Sequence, residues 1–445
     1  MLFLPSPRPA APAGAVTLLV LEMVIMGIDA GMDVVHPRCA GMDISKNDAK
    51  VCVRSPLGDN GRFRSVVTTY GATTNEVQRL RADLGAAGVS LVVMEATGDY
   101  WKPFFFPLEQ SLNVQLVNAK QAKNIPGRKT DVSDAAWLAK LAAYDLLTSS
   151  FVPPESIRQL RDLTRTRTHY AQEATREFSR IEKCLEDAGI KLSSVASSLT
   201  TKSCRTILDA MVAGQRDPHV LAELVEPGMR VKNAALVEAL TGRFTTHHAF
   251  LIGEHLATID EINTHIHKFD TQIDQVMRPF RDVRDLLTTI PGFSVTVADV
   301  IIAEIGVDMD VFPTAANLAS WAGVCPGQNQ SAGRVKSTRT RPGNRYLKGA
   351  LGIAAMSASR SKTTYLSVKY QRIAAHNSKA RLKALVTIEH TMLVIIWNMI
   401  RNGVVYNELG PGYYTRRNPN KIKNAAIRQL QTLGYTVELT PATAA

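Results

Sequence analysis

Leu91-Val92-Val93-Met94-Glu95 is an apolar run that ends in a carboxylate. Apolar runs of this length are typical of central strands that are buried on both faces of a sheet. A second strand is predicted at 39–45, with Asp43 near its end. Further strands at 49–54, 61–69 and 114–118 alternate with helices at 75–85 and 133–147, and Asp99 is predicted to cap a helix that begins at Tyr100. This alternation predicts an α/β layer fold.

Four acidic residues are the candidate metal ligands. Asp43 and Glu95 end predicted strands, and Asp131 and Asp134 follow in Lys129-Thr130-Asp131-Val132-Ser133-Asp134-Ala135. The last two are three residues apart on a predicted helix, so both project from one face. Mg²⁺ prefers oxygen ligands, and two-metal phosphoryl-transfer sites collect carboxylates from separate elements. The arrangement is the plan of an RNase H-like nuclease site and predicts phosphodiester chemistry.

Other interpretations of the acidic residues stay open. Carboxylates near strand ends are frequent on protein surfaces, and Asp131 could simply cap the helix that carries Asp134. Actin-like ATPases also place Gly-x-Asp near a first strand, but they need a second glycine-rich phosphate loop. None is present between Gly98 and Pro153. Asp29 in Gly27-Ile28-Asp29 is discounted as the first acidic ligand.

The charge balance favours a polyanionic partner. The 445 residues carry a net charge of +12, with a pI near 9.5. Residues 311–388 contain no Asp or Glu but 13 Lys or Arg. Such one-sided patterning predicts a surface that faces phosphates. A non-catalytic nucleic-acid-binding protein would show the same pattern, but it would tolerate loss of the four carboxylates.

The cysteines and the N-terminal segment indicate in which cellular compartment the protein is expected. The five cysteines form no CxxC pair, so neither a zinc site nor a disulfide framework is predicted, and a reducing cytoplasm is the simplest context. Residues 15–27 are too short for a membrane span and contain Glu22, so no membrane partner is expected. Residues 1–31 are interpreted as a leader that the fold does not need, with Met32 as a candidate natural start.

Pro153-Pro154 marks a predicted domain boundary. Beyond it, apolar residues repeat every 3.5 positions over 157–188 and again over 252–276. The two segments predict either an antiparallel coiled-coil hairpin, a dimerising stalk, or two amphipathic helices of one bundle. Small helices are expected over 190–245. From 286 to 305, a Pro291-Gly292 turn before an apolar helix resembles a helix-hairpin-helix, whose turn exposes backbone N–H groups to phosphate.

A second candidate site is a polar segment with several glycines. Its sequence is Pro326-Gly327-Gln328-Asn329-Gln330-Ser331-Ala332-Gly333-Arg334. A serine beside guanidinium groups can attack a phosphodiester, because arginine stabilises the developing charge. Ser331 could instead only hydrogen-bond a phosphate or a turn, and Ser337 is an equally reachable hydroxyl. The candidate nucleic-acid-binding residues are Arg334, Lys336, Arg339, Arg341, Arg345 and Lys348.

Several segments occur in a specific order along the chain. They are Cys39-Ala40-Gly41-Met42-Asp43, Met94-Glu95-Ala96-Thr97-Gly98-Asp99-Tyr100-Trp101, Lys129–Ala135, Ile290-Pro291-Gly292, Gly323-Val324-Cys325-Pro326, Gln330-Ser331-Ala332-Gly333 and Gly343-Asn344-Arg345-Tyr346-Leu347. In these segments the chain resembles the DEDD-type transposases of insertion-sequence family one-ten, the bridge-RNA-guided DNA recombinases. The resemblance covers residues 32–405. One departure is Ala332-Gly333-Arg334, where many members have Ser-Gly-Gly.

The resemblance implies a RuvC-like domain over 32–152, a coiled-coil or helical segment over 153–282, a mainly helical transposase domain over 283–405 and a basic tail over 406–445. It implies that Ser331 is a catalytic serine that becomes covalently linked to DNA, and that Asp43, Glu95, Asp131 and Asp134 form a Mg²⁺-binding tetrad. Expected partners are donor and target DNA, a structured bridge RNA that guides target choice, and further copies of the chain, as a dimer and a synaptic tetramer. The expected location is the cytoplasm, at the nucleoid. A RuvC-like junction resolvase, which uses metal-activated water and forms no covalent intermediate, is the alternative enzyme.

Overall fold

The computed structural model describes residues 33–58, 62–118, 133–230, 233–327, 329–337, 339–375 and 380–440. The chain divides into two compact units, Met1–Val152 and Pro153–Ala445, which are described separately.

Unit 1 contains one five-stranded mixed sheet. Its strands are β1 (Cys39–Ile44), β2 (Asp48–Pro56), β3 (Phe63–Gly71), β4 (Leu91–Glu95) and β5 (Val114–Val117). The strand order is β3-β2-β1-β4-β5. The first three strands are antiparallel, whereas β4 runs parallel to both β1 and β5. The edge that carries the carboxyl ends of β1 and β4 is therefore formed by parallel strands.

Helices cover both faces of this sheet, because successive side chains of a strand point to opposite sides. Met42 and Met94 belong to a core with α1 (Thr74–Ala86) and α2 (Lys102–Leu108). Cys39 and Val93 belong to a second core with α3 (Asp134–Ala143). The predicted α/β layer is confirmed.

Two helix boundaries in unit 1 differ from the sequence prediction. The predicted Asp99 cap is wrong: α2 begins at Lys102 with Trp101 as its N-cap, and the Asp99 carboxylate instead forms an ion pair with Lys102 at 2.9 Å. Helix α3 ends at Ala143 rather than 147, since Asp145 has a left-handed φ of 53° that stops the helix.

Unit 2 is mainly helical. It begins with α4 (Glu155–Asp187), and a second long helix, α10 (Thr246–Val276), packs along it. Arg167 pairs with Asp270, and Asp187 pairs with His248, so the two helices are antiparallel within one chain. The described residues between them form short helices: α5 (Leu192–Val195), α6 (Lys202–Val212), α7 (Pro218–Glu223), α8 (Pro227–Arg230) and α9 (Asn233–Leu240).

The remainder of unit 2 consists of helices and a small exposed hairpin. In chain order its elements are α11 (Arg281–Thr288), α12 (Val295–Ile305), α13 (Ala315–Trp321), β6 (Asn329–Ser331), β7 (Arg334–Ser337), α14 (Arg345–Arg360), α15 (Tyr365–Ala374), α16 (Ala380–Asn402), α17 (Tyr413–Arg417) and α18 (Pro419–Thr432). By length and composition alone, α16 could cross a membrane. It packs against α13, α14 and α15 with Ile388 and Ile396 fully buried, which is typical of a core helix.

Gly292 in the turn between α11 and α12 has a packing role that the sequence did not predict. A Cβ at Gly292 would lie 2.4 Å from the Ala354 carbonyl oxygen and 2.8 Å from the Ala358 nitrogen. The turn therefore needs glycine because it touches the backbone of α14. A phosphate contact at this turn stays a prediction.

Candidate active site

Asp43 and Glu95 lie side by side at the carboxyl edge of the sheet in unit 1. The parallel register pairs Gly41 with Val93 and Met42 with Met94. Asp43 and Glu95 are the next residues on their strands, so they project to the same face of the sheet. Both side chains are partly exposed. In the described part of the chain, neither carboxylate forms a hydrogen bond or ion pair, so both are available as ligands.

Helix α3 brings Asp134 to that same edge. The Cys39 thiol donates a hydrogen bond to the Ala139 carbonyl at 3.2 Å. Two residues along β1, a Cβ on Gly41 would lie 2.3 Å from the Ala135 carbonyl. The strand and the helix therefore run antiparallel, and the step from Gly41 to Asp43 leads towards Asp134 at the helix start. We call the edge formed by Asp43, Glu95 and Asp134 the acidic edge.

The fourth predicted ligand, Asp131, lies outside the described residues. Ser133 caps α3 by accepting a hydrogen bond from the Ala136 N–H at 3.3 Å, so α3 begins at Asp134. Among the described residues, no group of three or more His, Cys, Asp or Glu side chains lies close enough to hold a metal ion. The donors at the acidic edge are carboxylate oxygens, which suit a hard divalent cation.

The thiols behind the acidic edge are not nucleophiles at neutral pH. Burial raises the pKa of Cys39 to about 12, opposed in part by the positive charge of Arg54. Burial likewise raises the pKa of Cys52 to about 11. Only thiolates attack readily, so these buried side chains serve the apolar core instead.

Ser331 lies at the tip of the serine hairpin, which we define as β6, β7 and the two residues between them. Ser331 pairs with Arg334, and the connecting Ala332 and Gly333 have φ angles of 48° and 75°. Two consecutive left-handed residues form the primed turn that suits the twist of a two-residue hairpin. Ser331 is exposed, and its neighbour across the strands is a guanidinium-bearing residue.

The two candidate serines differ in their surroundings. Within the part of the chain that the structure describes, the Ser331 hydroxyl has no hydrogen-bond partner. The Ser337 hydroxyl accepts a hydrogen bond from the Arg339 backbone N–H at 3.2 Å. Ser331 therefore has the more available hydroxyl, a distinction that sequence spacing alone did not provide.

The predicted basic residues fall into two groups around the serine hairpin. Arg334 and Lys336 are exposed on β7. Arg339, Arg341 and Lys348 line a cleft at the hairpin base, which we call the basic cleft. The remaining residue, Arg345, begins α14 and stacks its guanidinium over the Tyr346 ring at 4.8 Å.

Lys348 also helps to hold the base of the hairpin. Its amine donates to the Gly323 carbonyl at 3.2 Å. The Gly327 N–H donates to the Arg339 carbonyl at 3.0 Å, and Pro326 pairs with Thr340. The two segments that enter and leave the hairpin are therefore joined by backbone contacts.

A buried ionic network next to the hairpin was missed by the sequence prediction. Glu304 has no solvent exposure, and Arg165 binds its two oxygens at 2.7 and 2.8 Å. The Asn344 amide donates to the same carboxylate, while its own oxygen accepts from the N–H groups of Tyr346 and Leu347. Asn344 thus caps α14 and ties it to Glu304. The available signal was the presence of two acidic residues, Asp299 and Glu304, within the mainly apolar segment 295–305.

Two family models match this chain, one over the region of the acidic edge and one over the region of the serine hairpin. A DEDD transposase model of the IS110 group matches residues 40–190, and a model described as transposase of the IS116/IS110/IS902 family matches residues 284–371. The 43.6 kDa protein of insertion element IS110 from Streptomyces coelicolor is 28% identical over 414 residues, which are 87% of this chain and 96% of that protein. The 42 kDa protein of insertion element IS900 from Mycobacterium paratuberculosis is 27% identical over 301 residues, 63% of this chain and 73% of that protein. The first model includes the acidic edge and the second includes the serine hairpin.

Proposed function

Because the chain belongs to the IS110 family of insertion-sequence transposases, which act on DNA, we propose that it exchanges DNA strands through a covalent intermediate on Ser331. The acidic edge, together with Asp131, assists this reaction by binding Mg²⁺. The observation that carries the proposal is the exposed Ser331 hydroxyl, which has no hydrogen-bond partner in the described residues and stands opposite Arg334.

We further propose that unit 1 has an RNase H-like, and more specifically RuvC-like, fold. Three antiparallel strands followed by two parallel ones, in the order β3-β2-β1-β4-β5, support this assignment. A carboxylate on the first strand, one on the fourth and one at a helix start also agree with that plan. Carboxylates from separate elements are a common basis of metal-dependent phosphoryl transfer.

The proposed step exchanges one phosphodiester for another. The Ser331 hydroxyl loses its proton as its oxygen forms a bond to the scissile phosphorus, the bond from that phosphorus to one DNA oxygen breaks, and that oxygen, now at the released strand end, takes up a proton. The guanidinium of Arg334 would offset charge that develops on the phosphate oxygens. The bond energy is kept in the protein–DNA link, so rejoining needs no nucleoside triphosphate.

The carboxylates of Asp43, Glu95, Asp131 and Asp134 would hold the metal ions. When bound, Mg²⁺ supplies Lewis-acid stabilisation of phosphate charge and favours deprotonation of a nucleophile. We propose that the acidic edge of one subunit serves the serine of another, as the family resemblance implies for dimers and synaptic tetramers.

Denaturing electrophoresis of labelled DNA that carries the sequences flanking the gene tests the nucleophile. Wild type and Ser337→Ala should form a covalent adduct in Mg²⁺, and Ser331→Ala should form none. The Ser337 variant is a matched control, since it removes the same atom from the same hairpin. An adduct in Ser331→Ala contradicts the proposal.

The junction-resolvase alternative is favoured by one observation, the available carboxylates of Asp43 and Glu95. These could position a metal-activated water without help from serine. Strand cleavage by Ser331→Ala at the wild-type rate, with no adduct in any variant, would establish that alternative.

We propose that a structured RNA from the element guides DNA choice. The support is the family resemblance together with 13 Lys or Arg and no acidic residue over 311–388. The test is adduct formation with and without RNA transcribed from the DNA beside the gene. Equal, sequence-independent reaction without that RNA contradicts the guide role.

A further inference from the structure

A cavity of about 590 Å³ lies beside the basic cleft in unit 2. One wall is the segment that enters the hairpin, with Val324 and Pro326. The opposite wall is one face of α16, with Leu382, Val386 and His390. Its volume falls in the range of small-molecule sites, which are lined mainly by apolar groups with a few polar ones.

The chemistry of the cavity suits a flat, weakly polar group attached to an anion. The apolar side chains can cover a ring, and the Thr340 and Thr387 hydroxyls can meet its edge. Burial lowers the pKa of His390, and nearby Lys369 lowers it further, so the imidazole is neutral at neutral pH and can both donate and accept. Arg339 and Lys383 supply the positive charge.

The cavity and the basic cleft are continuous. Arg339 and Thr340 line both spaces, which therefore lie on either side of this short segment. Among the residues that the structure describes, no acidic residue lines either space. A nucleic-acid strand whose phosphates follow Arg341 and Lys348 in the cleft would pass the cavity mouth, where Leu382 is 75% exposed.

We propose that this cavity receives one unpaired nucleobase of the DNA strand that occupies the basic cleft. The inference rests on the proposed strand exchange at the serine hairpin. Removal of a base from the stack costs a few kcal/mol and is cheapest for a base that is already unpaired, so the cavity would select DNA with a local distortion.

The test compares two duplexes of the same length, one with a single bulged 2-aminopurine and one with that base paired. Wild type should bind the bulged duplex about tenfold more tightly and should raise its fluorescence, because an unstacked base is inserted. Val386→Trp, which fills the cavity, should reduce the preference to about twofold or less, with unchanged affinity for the paired duplex. Val405→Trp, at a position that is 68% exposed and does not line the cavity, is the matched control and should keep the preference.

Leu382→Asp is a second cavity variant, which keeps the test valid if Val386→Trp fails to fold. Leu382 lies exposed at the rim, so its replacement should not disturb the apolar core. It should also reduce the preference. Equal binding of both duplexes by wild type, or a full preference in both cavity variants, overturns the proposal. Tighter binding of a bulged RNA duplex overturns its assignment to DNA.

The covalent adduct is measured on the same preparations. An adduct without a bulge preference contradicts only the cavity. A bulge preference without any adduct supports the cavity and contradicts the serine mechanism on which it rests.

Discussion

The acidic edge of unit 1 and the serine hairpin of unit 2 are held in place by different interactions. Sheet register and the close approach of α3 to Gly41 fix the acidic edge. The hairpin is only two short strands, and its base is joined to the buried Glu304 network through Asn344. The first region relies on apolar packing and backbone contacts, whereas the second adds a buried ionic network to the backbone contacts at its base.

Because of this difference, the two regions should be destabilised by different kinds of substitution. Packed apolar interfaces respond steeply to added volume, because interiors have few voids. Buried ionic networks respond steeply to loss of one charge, because the partner charges are left without compensation.

The largest effect is expected for Glu304→Gln. Arg161 and Arg165 would lose the carboxylate between them, and the free energy of unfolding should fall by about 2–3 kcal/mol. The value is below that of a fully buried pair because the Arg165 side chain is 35% exposed. Urea unfolding measures the loss, and adduct formation should decrease with it.

Glu254→Gln is the matched control for that change. Glu254 is exposed on α10, so the same substitution should alter stability by less than about 0.5 kcal/mol. If Glu254→Gln lowered the free energy of unfolding as much as Glu304→Gln does, the buried network would not account for the loss.

Gly41→Ala should break the packing that positions the acidic edge. Its Cβ would lie 2.3 Å from both the Ala135 carbonyl and the Ala139 nitrogen, so α3 has to move. We expect a loss of about 1–3 kcal/mol and a higher Mg²⁺ requirement for adduct formation. Gly85→Ala in α1, where nothing lies within 4 Å, should instead stabilise by up to about 1 kcal/mol. Equal melting temperatures for the two variants would contradict the packing argument.

A smaller, pH-dependent effect is expected at Glu389 on α16. Burial raises the pKa of the Glu389 carboxyl above its ordinary value of 4.5, although Lys348 opposes the shift. The folded protein therefore holds this proton more tightly than the unfolded chain, and the associated stability is complete below that ordinary value and is lost as pH rises through the folded-state pKa. Glu389→Gln should flatten this decline and raise stability at neutral pH. Parallel stability curves for wild type and variant would show that Glu389 is not responsible.

The smallest effect is expected at the hairpin turn. Ala332 has a left-handed φ of 48°, which costs a non-glycine residue about 1 kcal/mol. Ala332→Gly removes that strain but increases the entropy of the unfolded chain, so the net gain should be below about 1 kcal/mol. Slower amide hydrogen exchange at Arg334 would report it. Gly333→Ala, at a φ of 75°, should have the opposite sign.

The sheet of unit 1 could be predicted closely because its strands carry strong local signals. Leu91–Met94 is apolar throughout, Glu95 ends β4 as predicted, and Asp43 lies one residue before the end of the neighbouring strand β1. Boundaries were less accurate where local backbone geometry decides them. Helix α3 ends at Ala143 instead of the predicted 147, because Asp145 adopts a left-handed φ of 53°.

The charge network could not be predicted because it joins residues far apart in sequence. Arg165 and Glu304 are 139 positions apart, and no periodic pattern connects a long amphipathic helix with an acidic residue of a distant, mainly apolar segment. The same limit applies to Gly292, whose neighbour Ala354 belongs to a later helix. The choice between Ser331 and Ser337 also required the actual hydrogen bond made by the Ser337 hydroxyl.

The tight joint at the base of the serine hairpin has a mechanical consequence. A Cβ on Gly343 would lie 2.2 Å from the Ala322 carbonyl, so the two segments that carry the hairpin are in direct backbone contact. A DNA strand linked to Ser331 would pull on the far end of a short lever whose near end is anchored. Tension in the DNA would then bend the tip and pass into α13 and α14, the helices that flank the hairpin, while the backbone contact at its base holds the cut end in place.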